Sequence, residues 1–141
     1  MPRKHTGRRI FARLGWFAAL LYMGGIFYLS SIPGQDLPLP HFPFADKVAH
    51  GITYFGLGVL IAFRSGLTAR LLGNEVLHWT KGGWIAPAVG VLYGLLDEIH
   101  QLFTPNRTFD LKDLAVDIAG ILLGFWAARR WDRRRRAQPA L

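Results

Sequence analysis

The chain has 141 residues, about half of them hydrophobic, a net charge of +8 and no cysteine. One domain is expected at this length. The missing cysteine excludes a disulfide framework, a thiolate metal site and a cysteine nucleophile.

The basic residues gather at the ends. Arg3, Lys4, Arg8, Arg9 and Arg13 lead the chain, and Arg129, Arg130 and the run Arg133, Arg134, Arg135, Arg136 close it. These runs abut apolar stretches, which fits a positive-inside membrane orientation better than nucleic-acid binding, so no nucleic-acid partner is expected. The apolar stretches between them are too long and too poor in charge for a soluble core of this size. The expected fold is therefore all-α: a polytopic membrane protein built as a small four-transmembrane-helix bundle. A basic tail (1–13) precedes the membrane domain (14–128), and an arginine-rich tail (129–141), read as solvated and disordered, follows it.

The first span is expected over residues 14–29. Trp16 and Tyr28 suit its two membrane boundaries, and Gly24-Gly25 would allow close helix approach. Ser30-Ser31-Ile32-Pro33 is a poor match to a signal-peptide cleavage site, so the span is read as uncleaved. A proline-rich stretch follows and reads as an extended loop.

The second span is expected over 45–63. Asp46, His50, Thr53, Tyr54 and Leu57 fall on one face, polar near the start and apolar deeper in. Residues 64–83 read as a connector. Leu67, Leu71, Leu72, Val76 and Leu77 recur on one side, as in a short helix lying in the interface or in an ordinary amphipathic loop helix.

The third span is expected over 84–103, with Pro87 tolerated in its first turn. Gly90, Gly94, Asp97 and Gln101 share a face, flanked on opposite sides by Glu98 and His100. The turn TPNRTFD leads to a fourth span over 111–126, where Asp110, Asp113, Asp117, Gly120 and Gly124 lie on one face. The aspartates thus point where glycines pack, toward other helices and away from lipid. The two GxxxG faces also offer a surface for a homodimer.

Four spans place both termini on one side, and their arginines make that side cytoplasmic. The start of the second span, the end of the third and the start of the fourth then share the outer side. Those ends carry Asp46, Lys47, His50, Asp97, Glu98, His100, Gln101, Arg107, Asp110, Asp113 and Asp117. A charge at the centre of a span costs roughly 2.5–3.5 kcal/mol on insertion scales, so such residues read by default as a functional site.

Each residue also has a plainer reading. Asp46 and Asp110 could be helix N-caps. Lys47 could reach to the interface, and Arg107 could be an outer-loop charge. His50 and His100 could be hydrogen-bonding groups within the bundle, Tyr54 and Tyr93 ordinary packing. Asp113 and Asp117 lie too deep for a cap, and an ion pair with Arg107 or Lys47 would account for them.

Three functional readings compete with these. In the first, carboxylates and histidines of differing burial do acid–base chemistry on a lipid-linked or phosphate-bearing substrate, with Arg107 and Lys47 holding its anionic group. In the second, Asp97/His100 and Asp113/Asp117, on adjacent turns, hold a divalent metal, although no signature such as HExxH occurs. In the third, the site binds or moves a lipid headgroup without covalent chemistry.

The stretches DKVAHGITYFGLG and YGLLDEIHQLFTPNRTFDLKDLAVDIAGILLG resemble the VanZ-like family of bacterial membrane proteins. The family pattern falls on Asp46, Lys47, His50 and Tyr54, then on Asp97, Glu98, Gln101, Pro105 and Arg107, then on Asp113, Asp117, Gly120 and Gly124. The sequence departs from it at Gly51, where an aromatic is expected, and at Asn106, where glycine is common. The resemblance implies a multi-pass protein of the bacterial cytoplasmic membrane. The family's founding member is associated with resistance to teicoplanin, a glycopeptide that carries a fatty-acyl chain. The expected ligand is a membrane lipid or a lipid-linked envelope molecule. The residues expected to act on it are His50, Asp97, Glu98, Asp113 and Asp117, with Asp46, Lys47, Tyr54, His100, Gln101 and Arg107 binding it.

Overall fold

The computed structural model describes residues 3–37, 42–72 and 84–137, with side chains from 16 to 65 and from 84 to 135 within those ranges. It contains four α-helices and, among the described residues, no strand: α1 Arg3–Ser30, α2 Ala45–Leu72, α3 Ile85–Gln101 and α4 Leu111–Ala137. A single 3-10 turn, Gly34–Asp36, interrupts the expected extended loop between α1 and α2.

Helix starts follow local chemistry. Asp110 caps α4: its Oδ1 accepts the Lys112 N–H at 2.8 Å and its carbonyl accepts the Leu114 N–H at 3.0 Å. Asp46 does not cap α2. Phe44 stands in that place, with a left-handed φ of 65° and its carbonyl accepting the Val48 N–H at 3.0 Å. Asp46 falls in the first turn instead, where the helix dipole still favours an acid.

Three helices run further than the sequence pattern suggests. α1 begins at Arg3, within the expected tail, and α2 continues through Leu72, taking in the start of the expected connector. The remainder of the connector, 73–83, lies outside the described residues. The arginine run is not an irregular tail, because α4 extends through Ala137. Arginine is a good helix former, and here it also stacks on aromatics one turn back. Arg129 lies over Phe125 at 5.3 Å, Arg130 over Trp126 at 5.5 Å and Arg135 over Trp131 at 3.9 Å. Trp131 in turn meets Phe63 of α2 edge-on, 5.6 Å between centroids.

Glycines set the helix packing. A Cβ on Gly120 would lie 2.9 Å from the Gly51 carbonyl oxygen and 3.0 Å from the Phe55 nitrogen, so α4 rests directly on the α2 backbone. Gly90 and Gly94 face Ile61, Ile121, Tyr54 and Asp117 within the same chain. Both GxxxG faces therefore pack against neighbouring helices inside the bundle. Gly24 and Gly25 do the reverse of what was expected: a Cβ on either would meet nothing within 4 Å.

The core is apolar in the middle, around Leu57, Ile61, Ile121 and Phe125, and polar toward the end where α2 and α4 begin. The outside carries large apolar residues on every helix, among them Leu20 and Leu21, Ile52, Leu92 and Leu96, and Leu123. By length and composition one segment among the described residues, Ala45–Ser65 of α2, can cross a membrane. The apolar part of α1, Trp16–Ser30, is shorter. α3 has 17 residues, about 26 Å of rise against a hydrocarbon core of about 30 Å.

Candidate functional site

The polar end is assembled from all four helices and the two loops beside them. The loops are tied together: the Gly34 N–H donates to the Pro105 carbonyl at 3.1 Å, and the Asn106 amide donates to Gln35 Oε1. Asn106 has φ 55°. That left-handed backbone accounts for the glycine of the family pattern, and asparagine is among the few side chains that tolerate it.

Three clusters fill this end. In the first, Lys47 Nζ reaches Asp113 Oδ1 at 2.8 Å, Asp110 Oδ2 at 3.1 Å and Asp46 Oδ2 at 3.2 Å. One ammonium thus joins the start of α2 to the start of α4. The Lys112 N–H and then Lys47 hold the Asp110 carboxyl below the usual carboxylate range.

In the second, His50 Nδ1 lies 3.0 Å from Asp117 Oδ1 and 3.9 Å from Glu98 Oε1. Glu98 and Asp117 are both 0% exposed. Glu98 is held from two directions: Gln101 Nε2 donates to Oε1 at 3.3 Å, and the Asp110 N–H donates to Oε2 at 3.1 Å. One ligand atom each from His50, Glu98 and Asp117 lies within 4.8 Å of the others, close enough to share a metal ion.

The third centres on Asp97. Its Oδ2 accepts the Tyr54 hydroxyl at 2.9 Å and the Ser30 hydroxyl at 2.8 Å, and all three residues are buried. The Ser30 carbonyl accepts the Thr104 hydroxyl at 3.2 Å. Tyr54 is therefore a hydrogen-bonding partner as well as packing.

Two expected site residues stand apart from these clusters. His100 stacks on Phe27 with ring centroids 4.3 Å apart, and its Nε2 lies 3.0 Å from the Ser31 hydroxyl. Arg107 donates from Nε to the Ile32 carbonyl and from Nη2 to the Leu29 carbonyl, both at 3.4 Å. It thereby engages the C-terminal end of α1, whose last carbonyls lack helical partners. Partial burial lowers the pKa of Arg107 from its ordinary value. The two metal pairs read from spacing do not form. Asp97 turns to α1 and α2 while His100 packs on α1, and Asp113 goes to Lys47 while Asp117 goes to His50.

A cavity of about 160 Å³ opens between α1 and α2. Ile26 and Leu29 form an apolar wall, and Asp46, His50, Asp97 and Arg107 supply polar groups. The contribution of α1 was missed in the sequence. Ser30 lies at the end of an apolar run, where a lone hydroxyl gives no readable sign of a buried partner.

The family profile that matches the chain is VanZ/LLP1, and the match covers residues 5–132. The chain belongs to the VanZ/LLP1 family. No curated protein and no solved structure matches it. The match takes in the three polar clusters of this VanZ-like chain and most of α1 and α4 as well.

Proposed function

We propose that this VanZ-like chain is a multi-pass protein of the bacterial cytoplasmic membrane whose polar end faces outward and binds an anionic amphiphile, either a membrane lipid or a lipid-linked envelope molecule. One observation carries the reading: the bundle is apolar outside and charged inside. Glu98, Asp117 and Asp97 are buried, while Leu20, Leu92 and Leu123 lie at the surface. A soluble fold of this size does the opposite, and large exposed apolar surface marks a membrane or partner interface. The arginine-rich ends support a cytoplasmic location for both termini.

The cavity supports the ligand class. Pockets for drug-sized ligands run to roughly 300–1,000 Å³. One of about 160 Å³ fits a headgroup or the end of a chain, with the rest of the amphiphile outside. Arg107 borders it, and its two bonds to carbonyls at 3.4 Å are long, which leaves its guanidinium able to take an anionic oxygen. Membership of the VanZ/LLP1 family supports extending this reading to a role in glycopeptide resistance, since a lipidated glycopeptide such as teicoplanin shares this chemistry.

The His50–Asp117 pair is equipped for proton transfer, so an acid–base reaction on the bound molecule is the active form of this reading. Binding or transport without covalent chemistry is the alternative. It is favoured by the closed bonding of Lys47, whose ammonium already meets three carboxylates.

Native mass spectrometry of gently extracted protein tests the reading. The expected result is a lipid-class adduct on the wild type that is lost in Arg107→Ala. Wild type without an adduct, or an adduct unchanged in the variant, overturns it. A reporter fused after Leu141 should read cytoplasmic, and one in the loop between α1 and α2 should read external. The reverse result overturns the outward orientation.

A further inference from the structure

We propose that His50, Glu98 and Asp117 form a binding site for a divalent transition cation of the zinc–manganese class. Each residue comes from a different helix, α2, α3 and α4, and offers one ligand atom within 4.8 Å of the other two. Zinc binds nitrogen and carboxylate oxygen at about 2.0–2.2 Å, which puts tetrahedral ligand atoms about 3.3–3.6 Å apart. His50 Nδ1 lies 3.0 Å from Asp117 Oδ1 and 3.9 Å from Glu98 Oε1, each within a few tenths of an ångström of that spacing.

A second observation points the same way. Asp117 is fully buried, and its Oδ2 has no hydrogen-bond partner among the described residues. That oxygen belongs to the carboxylate already turned toward His50 and Glu98. A buried carboxylate oxygen left without a donor is costly, and a cation beside it removes the cost.

Charge balance supports a dication. Two carboxylates and a neutral imidazole carry a formal charge of −2. Lys47 is committed to Asp46, Asp110 and Asp113. The imidazole favours a transition metal over magnesium or calcium, which prefer all-oxygen sets.

The surroundings orient the ligands as metal sites require. Gln101 and the Asp110 N–H fix the Glu98 carboxylate. Tyr54 lies nearly parallel to the His50 ring, with centroids 6.2 Å apart and planes at 13°. Gly94 makes room: a Cβ there would lie 3.5 Å from Asp117 Cβ and 3.3 Å from Tyr54 Cε1. The ion would cross-link three helices, so it would stabilise the bundle whether or not an amphiphile is bound.

Metal content measured without any added amphiphile tests this separately from the proposed function. Full-length protein in detergent is stripped with chelator, loaded with Zn²⁺ or Mn²⁺ alone, desalted and analysed by mass spectrometry of its metals. One retained ion per chain is expected in the wild type and in Lys112→Gln, with loss in Glu98→Gln and Asp117→Asn. Wild type that retains none overturns the proposal, and so does equal retention in all four proteins. Should the variants fail to fold, the wild type decides alone. Loaded with Co²⁺, it should show visible d–d absorption that Zn²⁺ abolishes, and a featureless spectrum overturns the site.

Discussion

His50 Nδ1 and Asp117 Oδ1 sit 3.0 Å apart, joining α2 to α4 across 67 residues of sequence. Asp117 is wholly buried and its other oxygen has no partner among the described residues, so this bond bears much of the cost of placing a carboxylate there. A double-mutant cycle of His50→Ala and Asp117→Asn in the chelated protein should show a coupling of about 1–3 kcal/mol in unfolding free energy. Additive single effects would mean that the pair does not act as a unit.

Lys47 is a single cation among three aspartates, and it is mostly buried at 19% exposure. Lys47→Met should destabilise the bundle by about 2 kcal/mol, since it leaves those carboxylates to repel one another. Adding Asp113→Asn, which removes its nearest partner, should recover part of that loss. Detergent-solubilised thermal unfolding measures both. A Lys47→Met protein as stable as the wild type would show that the three aspartates are adequately solvated without it.

Asp97 depends on two hydroxyls. Tyr54→Phe and Ser30→Ala should each cost about 1–2 kcal/mol, by leaving a buried carboxylate with one donor fewer. The pair together should cost more than the sum, because the second substitution removes the last donor to Oδ2 among the described residues. Chemical unfolding of the three proteins checks the order. Equal stability of Ser30→Ala and wild type would mean that the Ser30 hydroxyl does not help to hold Asp97.

Glycines at two places should respond oppositely. Gly120→Ala places a methyl 2.9 Å from the Gly51 carbonyl oxygen, which is backbone and cannot swing away. It should cost about 1–3 kcal/mol and loosen α4 from α2. Gly25→Ala meets nothing within 4 Å and should be neutral or stabilising by up to about 1 kcal/mol through helix propensity. A neutral Gly120→Ala would mean that the helices separate more easily than the packing implies.

Much of this arrangement was legible before the structure. Helical periodicity put Asp113, Asp117, Gly120 and Gly124 on one face, and all four are buried. Gly90, Gly94, Asp97 and Gln101 behave the same way. Residue spacing could not assign partners. Asp113 and Asp117 are one turn apart, yet one meets Lys47 and the other His50, because the α2 side chains facing them differ. Nor could periodicity show which face of α1 packs inward. Its apolar residues run all round, so Ser30 and the open side of Gly24-Gly25 carried no readable signal. The extension of α4 through the arginine run depends on stacking over Phe125, Trp126 and Trp131, which hydropathy treats as separate from the charges.

The His50, Glu98 and Asp117 cluster draws one residue from each of α2, α3 and α4, and this bears on how the chain is made. A growing chain releases α1 and α2 first, so His50 is in place long before either acid has been synthesised. On the proposed multi-pass reading, the hairpin of α3 and α4 then has to enter the bilayer carrying Asp97, Asp113 and Asp117, whose side-chain partners Ser30, Tyr54, Lys47 and His50 all lie on the first pair. Until that docking the second hairpin is a poor membrane segment, and a chain shortened to its last two helices should be left uninserted or degraded. On that reading the first pair serves as a template on which the second becomes stable in lipid.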